Sequence, residues 1–88
     1  MRTFSRTSQF KKDVKRADKR GWNLEKLKEV LDLLIDGRPL PPHFRDHPLK
    51  GDYAGSRDCH VGPDWILIYT LEGDHLRFER TGTHSDLF

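Results

Sequence analysis

Apolar residues recur with helical spacing in the first part of the chain. In "TSQFKKDVKRADKRGW", Phe10, Val14 and Ala17 follow one another at i, i+4 and i+7, which is one stripe of an amphipathic helix. Thr7 or Ser8 can cap the start of this helix, and the glycine after it can end it. Because the stripe is narrow, we expect the helix to lie on the surface with one edge in the core.

A second and more apolar helix is predicted in "NLEKLKEVLDLLIDG". Asn23 is a natural N-cap, Glu25 complements the positive end of the helix dipole, and Gly37 allows a left-handed stop. A wide apolar face is formed by Leu24, Leu27, Val30, Leu31, Leu34 and Ile35. The two helices should therefore form an antiparallel hairpin joined at "RGW".

The hydrophobic pattern then disappears over residues 38–55. This stretch holds four of the five prolines and two glycines, so it cannot be a helix, and most of it cannot be a paired strand. A loop of this length is uncommon in a small domain unless it has a function. It carries His43 and His47.

Strand spacing dominates the last third of the chain. "SRDCHV" and "HLRFERTG" alternate polar and apolar residues, and "EGD" before the latter indicates a hairpin. "WILIYTL" is apolar on both faces, as a central strand requires: Trp65, Leu67 and Tyr69 alternate with Ile66 and Ile68.

The order of these elements predicts one α+β domain over residues 1–88. A further short strand is expected around residues 2–6, before the first helix. The helix hairpin should pack on one face of a small, mostly antiparallel sheet. The other face and the proline-rich loop are left for function.

The composition indicates the cellular compartment in which this domain functions. The single cysteine, Cys59, excludes an internal disulfide and is typical of a protein of the reducing cytoplasm. We expect it to be a small core residue rather than a nucleophile. No apolar run is long enough for a signal peptide or a membrane span, so neither export nor a membrane partner is predicted.

Charge is unevenly distributed along the chain. Residues 1–20 carry eight lysines or arginines against two aspartates, whereas the net charge of the whole chain is only +2. A basic face on the first helix would suit nucleic acid or an acidic protein partner. A simply solvated helix face fits the charge pattern equally well.

Several titratable residues are expected at one end of the sheet. His60 and Asp64 flank the turn between two predicted strands, and Arg80 and His84 lie near the end of the third. Antiparallel hairpins return these strand ends to a common rim, where the four side chains should converge.

Imidazoles, a carboxylate and a guanidinium together suit metal-free RNA cleavage. Histidine can act as general base or acid at neutral pH, and arginine can stabilise charge on a phosphate. Taken singly, each histidine could instead be structural or merely exposed. No short His-x-x-His or Cys-x-x-Cys spacing is present, so neither a metal nor another cofactor is expected.

The residues also resemble a known family across nearly the whole chain. "DHPLKG", "RDCHVGPDWILIY" and "FERTGTHSDLF", with the preceding helical segment, resemble the YafQ branch of the RelE/ParE superfamily of type II toxin–antitoxin toxins. The resemblance implies a RelE-like fold. It also implies a ribosome-dependent endoribonuclease that cleaves mRNA in the ribosomal A site and is silenced by an antitoxin protein. The alternative is a non-catalytic, ParE-like toxin that binds DNA gyrase.

The resemblance implies roles for individual residues as well. The acid–base set would be His47, His60, Asp64 and His84, without an assignment of base and acid. Arg80 would be the phosphate-stabilising cation, Asp58 a carboxylate that orients an imidazole, and Phe88 an aromatic placed to stack on a base. The basic set facing ribosomal RNA would be Lys11, Lys12, Lys15, Arg16, Lys19 and Arg20.

Overall fold

The computed structural model describes all residues, 1–88, and has the α+β architecture expected from the sequence. Its helices are α1 (Ser8–Lys19), α2 (Leu24–Ile35) and the single turn α3 (His84–Leu87). Its strands are β1 (Thr3–Arg6), β2 (His47–Pro48), β3 (Arg57–Gly62), β4 (Trp65–Glu72) and β5 (His75–Gly82). The sheet order is β1-β5-β4-β3-β2, with β1 parallel to β5 and the other pairs antiparallel.

Side-chain caps fix the helix starts at the predicted residues. The Thr7 hydroxyl accepts a hydrogen bond from the Phe10 N–H at 2.9 Å, and the Asn23 side chain accepts one from the Glu25 N–H at 3.1 Å. Such caps satisfy amide groups that have no partner within the helix. None of the helices combines the length and apolar character needed to cross a bilayer.

The central strand β4 separates two apolar clusters, as its sequence predicts. Trp65, Leu67 and Tyr69 pack towards the core that lies under α1 and α2, whereas Ile66 and Ile68 pack with Leu87 of α3. The helix hairpin thus covers one face of the sheet. The opposite face, which we call the open face, is only partly covered by α3 and by Leu49 and Tyr53.

The proline-rich segment is mostly free of regular pairing, as expected, but it is anchored. Two 3-10 turns, Pro42–Phe44 and Gly51–Tyr53, flank the two-residue strand β2. Phe44 is buried in the helix-side core and ties the segment to the sheet. The segment therefore carries His47 to the edge of β3.

One buried carboxylate was missed by the helical pattern. Asp13 lies on the apolar side of α1, between Phe10 and Ala17, and is 1% exposed. Its spacing of i+3 from Phe10 places it on the same face as the stripe. In the sequence pattern, Asp13 is only one of the charges of the N-terminal segment.

Candidate functional site

The open face carries a row of aromatic and imidazole rings at approximately equal spacing. Ring centroids are 6.4 Å apart for His47 and His60, 6.0 Å for His60 and His84, and 6.0 Å for His84 and Phe88. Tyr53 continues the row, 5.6 Å from Phe88. Side chains from four separate parts of the chain thus meet on one surface.

Strand register explains how these residues are brought together. His47 of β2 pairs with Asp58 of β3, and His60 pairs with Ile66 of β4. Since side chains alternate along a strand, Asp58 and His60 point to the same face. The register between β3 and β4 is irregular between His60 and Gly62. β3 ends at Gly62, one residue beyond the end predicted from the sequence, and Asp64 lies in the following turn.

Asp64 and His84 form a hydrogen-bonded dyad at the rim. Asp64 Oδ1 lies 3.0 Å from His84 Nδ1 and also accepts a hydrogen bond from the His84 backbone N–H at 3.1 Å. These hydrogen bonds lower the pKa of Asp64. An ionised carboxylate against Nδ1 requires the proton on that nitrogen. Nε2 of His84 is therefore free to accept a proton.

His47 is held between two acceptors. Its Nδ1 lies 2.7 Å from the backbone carbonyl oxygen of Arg45, and its Nε2 lies 3.0 Å from Asp58 Oδ1. The contact with Asp58 Oδ1 does not have hydrogen-bond geometry, and it is an ion-pair contact at 3.0 Å. Burial raises the pKa of Asp58, and the nearby histidines counteract this. One proton must lie between Asp58 and His47 to avoid two facing lone pairs.

His60 differs from the other two histidines because neither of its ring nitrogens has a hydrogen-bond partner. It lines a groove of about 670 Å³ together with His84, Arg45 and His43. The free nitrogens of His60 and His84 can therefore be reached from the same open space. No group of three or more His, Cys, Asp or Glu side chains is arranged to hold a metal ion.

Arg80 is engaged with the buried carboxylate of Asp13. Its guanidinium makes two hydrogen bonds to Asp13, with Nε–Oδ2 at 3.0 Å and NH2–Oδ1 at 3.2 Å. Burial would raise the pKa of Asp13, but hydrogen bonds from Arg80, Gln9 and the Thr81 N–H outweigh it and lower that pKa. Of the four residues expected to converge, His60, Asp64 and His84 lie together, while Arg80 has no hydrogen bond to any of them.

The basic face of α1 divides into free and paired cations. Arg16 contacts Asp13 at 3.1 Å, and Arg20 makes a 2.7 Å ion pair with Asp86. The four lysines of the predicted basic set are exposed and have no ion pair: Lys11, Lys12, Lys15 and Lys19. Only part of the basic set is therefore available to a partner without breaking an internal contact.

Two residues that line the groove were not predicted from the sequence to be site residues. Arg45 and His43 belong to the proline-rich segment and line the groove beside His60 and His84. The only available signal was their nearness to His47 in a long loop, which does not say where a side chain points. Their position depends on how Phe44 anchors the segment.

Comparison with known proteins identifies the family of this fold and site. Residues 2–88 match the sequence model of a protein family described as the bacterial toxin of type II toxin–antitoxin system, YafQ. The chain belongs to the YafQ family of toxins. It is 55% identical over 83 residues to the mRNA interferase toxin YafQ of Escherichia coli K12, covering 93% of this chain and 90% of that protein.

Solved YafQ structures have the same fold. A crystal structure of YafQ from E. coli BL21(DE3) is 52% identical, with a TM-score of 0.96 and coverage of 100% and 99% of the two chains. YafQ in the E. coli DinJ–YafQ complex is 53% identical, with a TM-score of 0.94 and the same coverage. Similarity at this level to a curated mRNA interferase supports endoribonuclease activity in this YafQ-family toxin.

Proposed function

We propose that the chain is the toxin of a type II toxin–antitoxin pair and cleaves mRNA in the ribosomal A site as a cytoplasmic, ribosome-dependent endoribonuclease. Membership of the YafQ family and 55% identity to an mRNA interferase support this proposal. The E. coli DinJ–YafQ complex supports an antitoxin protein as a partner. Cleavage of mRNA would stop translation.

The dyad at the rim supports a general acid–base mechanism. His84 Nε2 takes the proton of a 2′-hydroxyl, and the 2′-oxygen forms a bond to the adjacent phosphorus. The bond between phosphorus and the 5′-oxygen breaks, and an imidazolium of His60 gives its proton to that oxygen. The products are a 2′,3′-cyclic phosphate and a 5′-hydroxyl. Each catalytic group of this kind contributes about 10²–10⁴ in rate.

Ring spacing supports the placement of one phosphate between the two histidines. Proton transfer requires the two heavy atoms to be roughly 3 Å apart. Ring centroids 6.0 Å apart allow His60 and His84 to reach opposite ester oxygens of one phosphodiester. This pairing of a free imidazole with a carboxylate-oriented one is the observation that carries the proposal.

The other predicted site residues have supporting roles in this mechanism. His47 and Asp58 share one proton on the side of His60 away from His84, and the Asp58 carboxyl holds the His47 imidazole in place there. Phe88, which is 60% exposed, can stack on a base of the substrate. Arg80 stays a predicted phosphate-stabilising cation, and its ion pair with Asp13 would have to be shared or opened for a direct contact.

The exposed lysines of α1 support ribosome binding. Lysine contacts to RNA phosphates give affinity without reading sequence, and they weaken as salt concentration rises. We infer that Lys11, Lys12, Lys15 and Lys19 face ribosomal RNA. An acidic segment of the antitoxin could cover the same cations or the groove.

A histidine pair gives a direct test of the proposal. We expect His84→Gln to abolish growth arrest and the appearance of new transcript 5′ ends after brief expression. His75→Gln is the matched control, because His75 lies at the far end of β5 and bonds Thr3 and Ser5. Unchanged cleavage by His84→Gln would refute the mechanism. Intact transcripts with broken DNA in the wild type would instead indicate gyrase poisoning.

A further inference from the structure

The proposed cleavage reaction needs a cation at the phosphate, and the guanidinium of Arg80 is already paired with another group. Its guanidinium is paired through two hydrogen bonds with Asp13, whose side chain is fully buried. Opening this pair would leave the carboxylate buried with fewer donors, which is strongly unfavourable. A cation without an internal ion pair could bind the phosphate without this loss of stability.

Arg45 is a cation of this kind beside the two catalytic histidines. It lines the same groove as His60 and His84. It is exposed, and its guanidinium makes no hydrogen bond or ion pair within the protein. Arginine presents a planar set of donors that matches the oxygens of a phosphate. Its charge is therefore available to a ligand in the groove.

The backbone holds Arg45 in an uncommon conformation. Arg45 ends the first 3-10 turn in the left-handed region, with φ 51° and ψ 43°, and it is the only non-glycine residue with positive φ. Such a conformation costs a non-glycine residue about 1 kcal/mol or more. Glycine would fit the same backbone without strain. Backbone strain of this kind is common at functional sites.

Two hydrogen bonds hold the backbone of Arg45, one within the 3-10 turn and one to the His47 side chain. Its N–H donates to the Pro42 carbonyl at 3.0 Å, and its carbonyl lies 2.7 Å from His47 Nδ1. The neighbouring Phe44 is buried and anchors the turn. The position of Arg45 is thus fixed relative to the histidine row.

We propose that Arg45 is a catalytic residue that binds the non-bridging oxygens of the scissile phosphate between His60 and His84. This assignment depends on the proposed ribonuclease function. The guanidinium stabilises the negative charge that develops on the phosphorane. The ligand class is the phosphodiester of single-stranded RNA.

Arg45→Gly separates a catalytic role from a structural one. Because glycine relieves the left-handed strain, we expect thermal stability to stay unchanged or to rise. Loss of one charge-stabilising group typically lowers the rate by about 10²–10³. We expect that loss in single-turnover cleavage of ribosome-bound mRNA at saturating toxin, with only partial loss in Arg45→Lys. Arg38→Gln, an exposed arginine paired with Asp36, is the control and should cleave like the wild type.

A sulfur substitution provides a second readout. When one non-bridging oxygen of the scissile phosphate is replaced by sulfur, the wild type should slow more than Arg45→Gly does, because the variant no longer contacts that atom. If Arg45→Gly cleaves at the wild-type rate at saturating toxin, the assignment is overturned. The same holds if the variant only binds the ribosome more weakly and cleaves normally once bound. Absence of cleavage by the wild type would instead refute the proposed function.

Discussion

Replacing Asp13 with alanine removes a carboxylate that fixes α1 to the end of β5. Its oxygens accept hydrogen bonds at 3.0–3.2 Å from four residues: Gln9, Arg16, Arg80 and the backbone N–H of Thr81. The Asp13 side chain is fully buried and Thr81 is 0% exposed. Arg16 and Arg80 retain 37% and 24% side-chain exposure.

The expected loss of stability follows from these exposures. Thr81 N–H would be left buried without a partner, which costs about 1–3 kcal/mol. The charge-assisted bonds from Arg80 add about 1.5–3 kcal/mol. Arg16 contributes little because it can turn to solvent. We expect a total loss of about 2.5–6 kcal/mol in unfolding free energy, a large share of the roughly 5–15 kcal/mol typical of domains.

Chemical denaturation measures this loss directly. We expect Asp13→Ala to lower the urea midpoint and to lower Tm by at least about 10 °C. Asp18→Ala is the matched control, because Asp18 is exposed on the same helix and has no ion pair. A loss in Asp13→Ala no larger than that in Asp18→Ala would show that the network does not fix α1 to the sheet.

The pH dependence of the Asp13 contribution to stability has a defined sign, which Asp13→Asn can measure. Because the pKa of Asp13 is lowered in the folded state, its contribution is complete above the unfolded pKa of about 3.9 and is lost as pH falls through the lower, folded pKa. The difference in unfolding free energy between wild type and Asp13→Asn should therefore be constant from pH 7 to 5 and shrink below about pH 4. A difference that grows in acid would contradict this assignment of charge.

Two further predictions concern the thiol and the basic helix. Burial raises the pKa of Cys59 to about 12, so we expect no reaction with iodoacetamide at pH 8 until urea unfolds the protein, and fast labelling of the native state would contradict this. The double variant Lys11→Gln/Lys15→Gln should reduce the magnitude of the salt slope of ribosome binding by about 1.4–1.8, whereas Lys28→Gln/Arg38→Gln, with the same change in net charge, should leave the slope unchanged.

Much of the fold could be predicted because it depends on local periodicity. The stripe of α1, the wide face of α2 and the two-sided pattern of β4 each reflect the geometry of a single element. Antiparallel hairpin connections also predict that His60, Asp64 and His84 meet at one rim. The order in which the strands are connected is sufficient to predict this part of the site.

Tertiary packing decided the partners of each charged group. The sequence does not distinguish a paired Arg80 from one that is free to bind a phosphate. In the structure its guanidinium pairs with the carboxylate of Asp13, 67 residues away. Arg45 gave no such signal, yet the burial of Phe44 and the left-handed backbone at Arg45 place it beside the histidines.

By itself, the sequence determined the helices, the strands and the set of residues able to perform acid–base chemistry. The tertiary structure alone decided which histidine is free, which is held by a carboxylate, and which arginine remains unpaired. The physical reason is that backbone periodicity acts over a few residues. Hydrogen bonding and desolvation of a side chain instead depend on atoms brought together from distant parts of the chain.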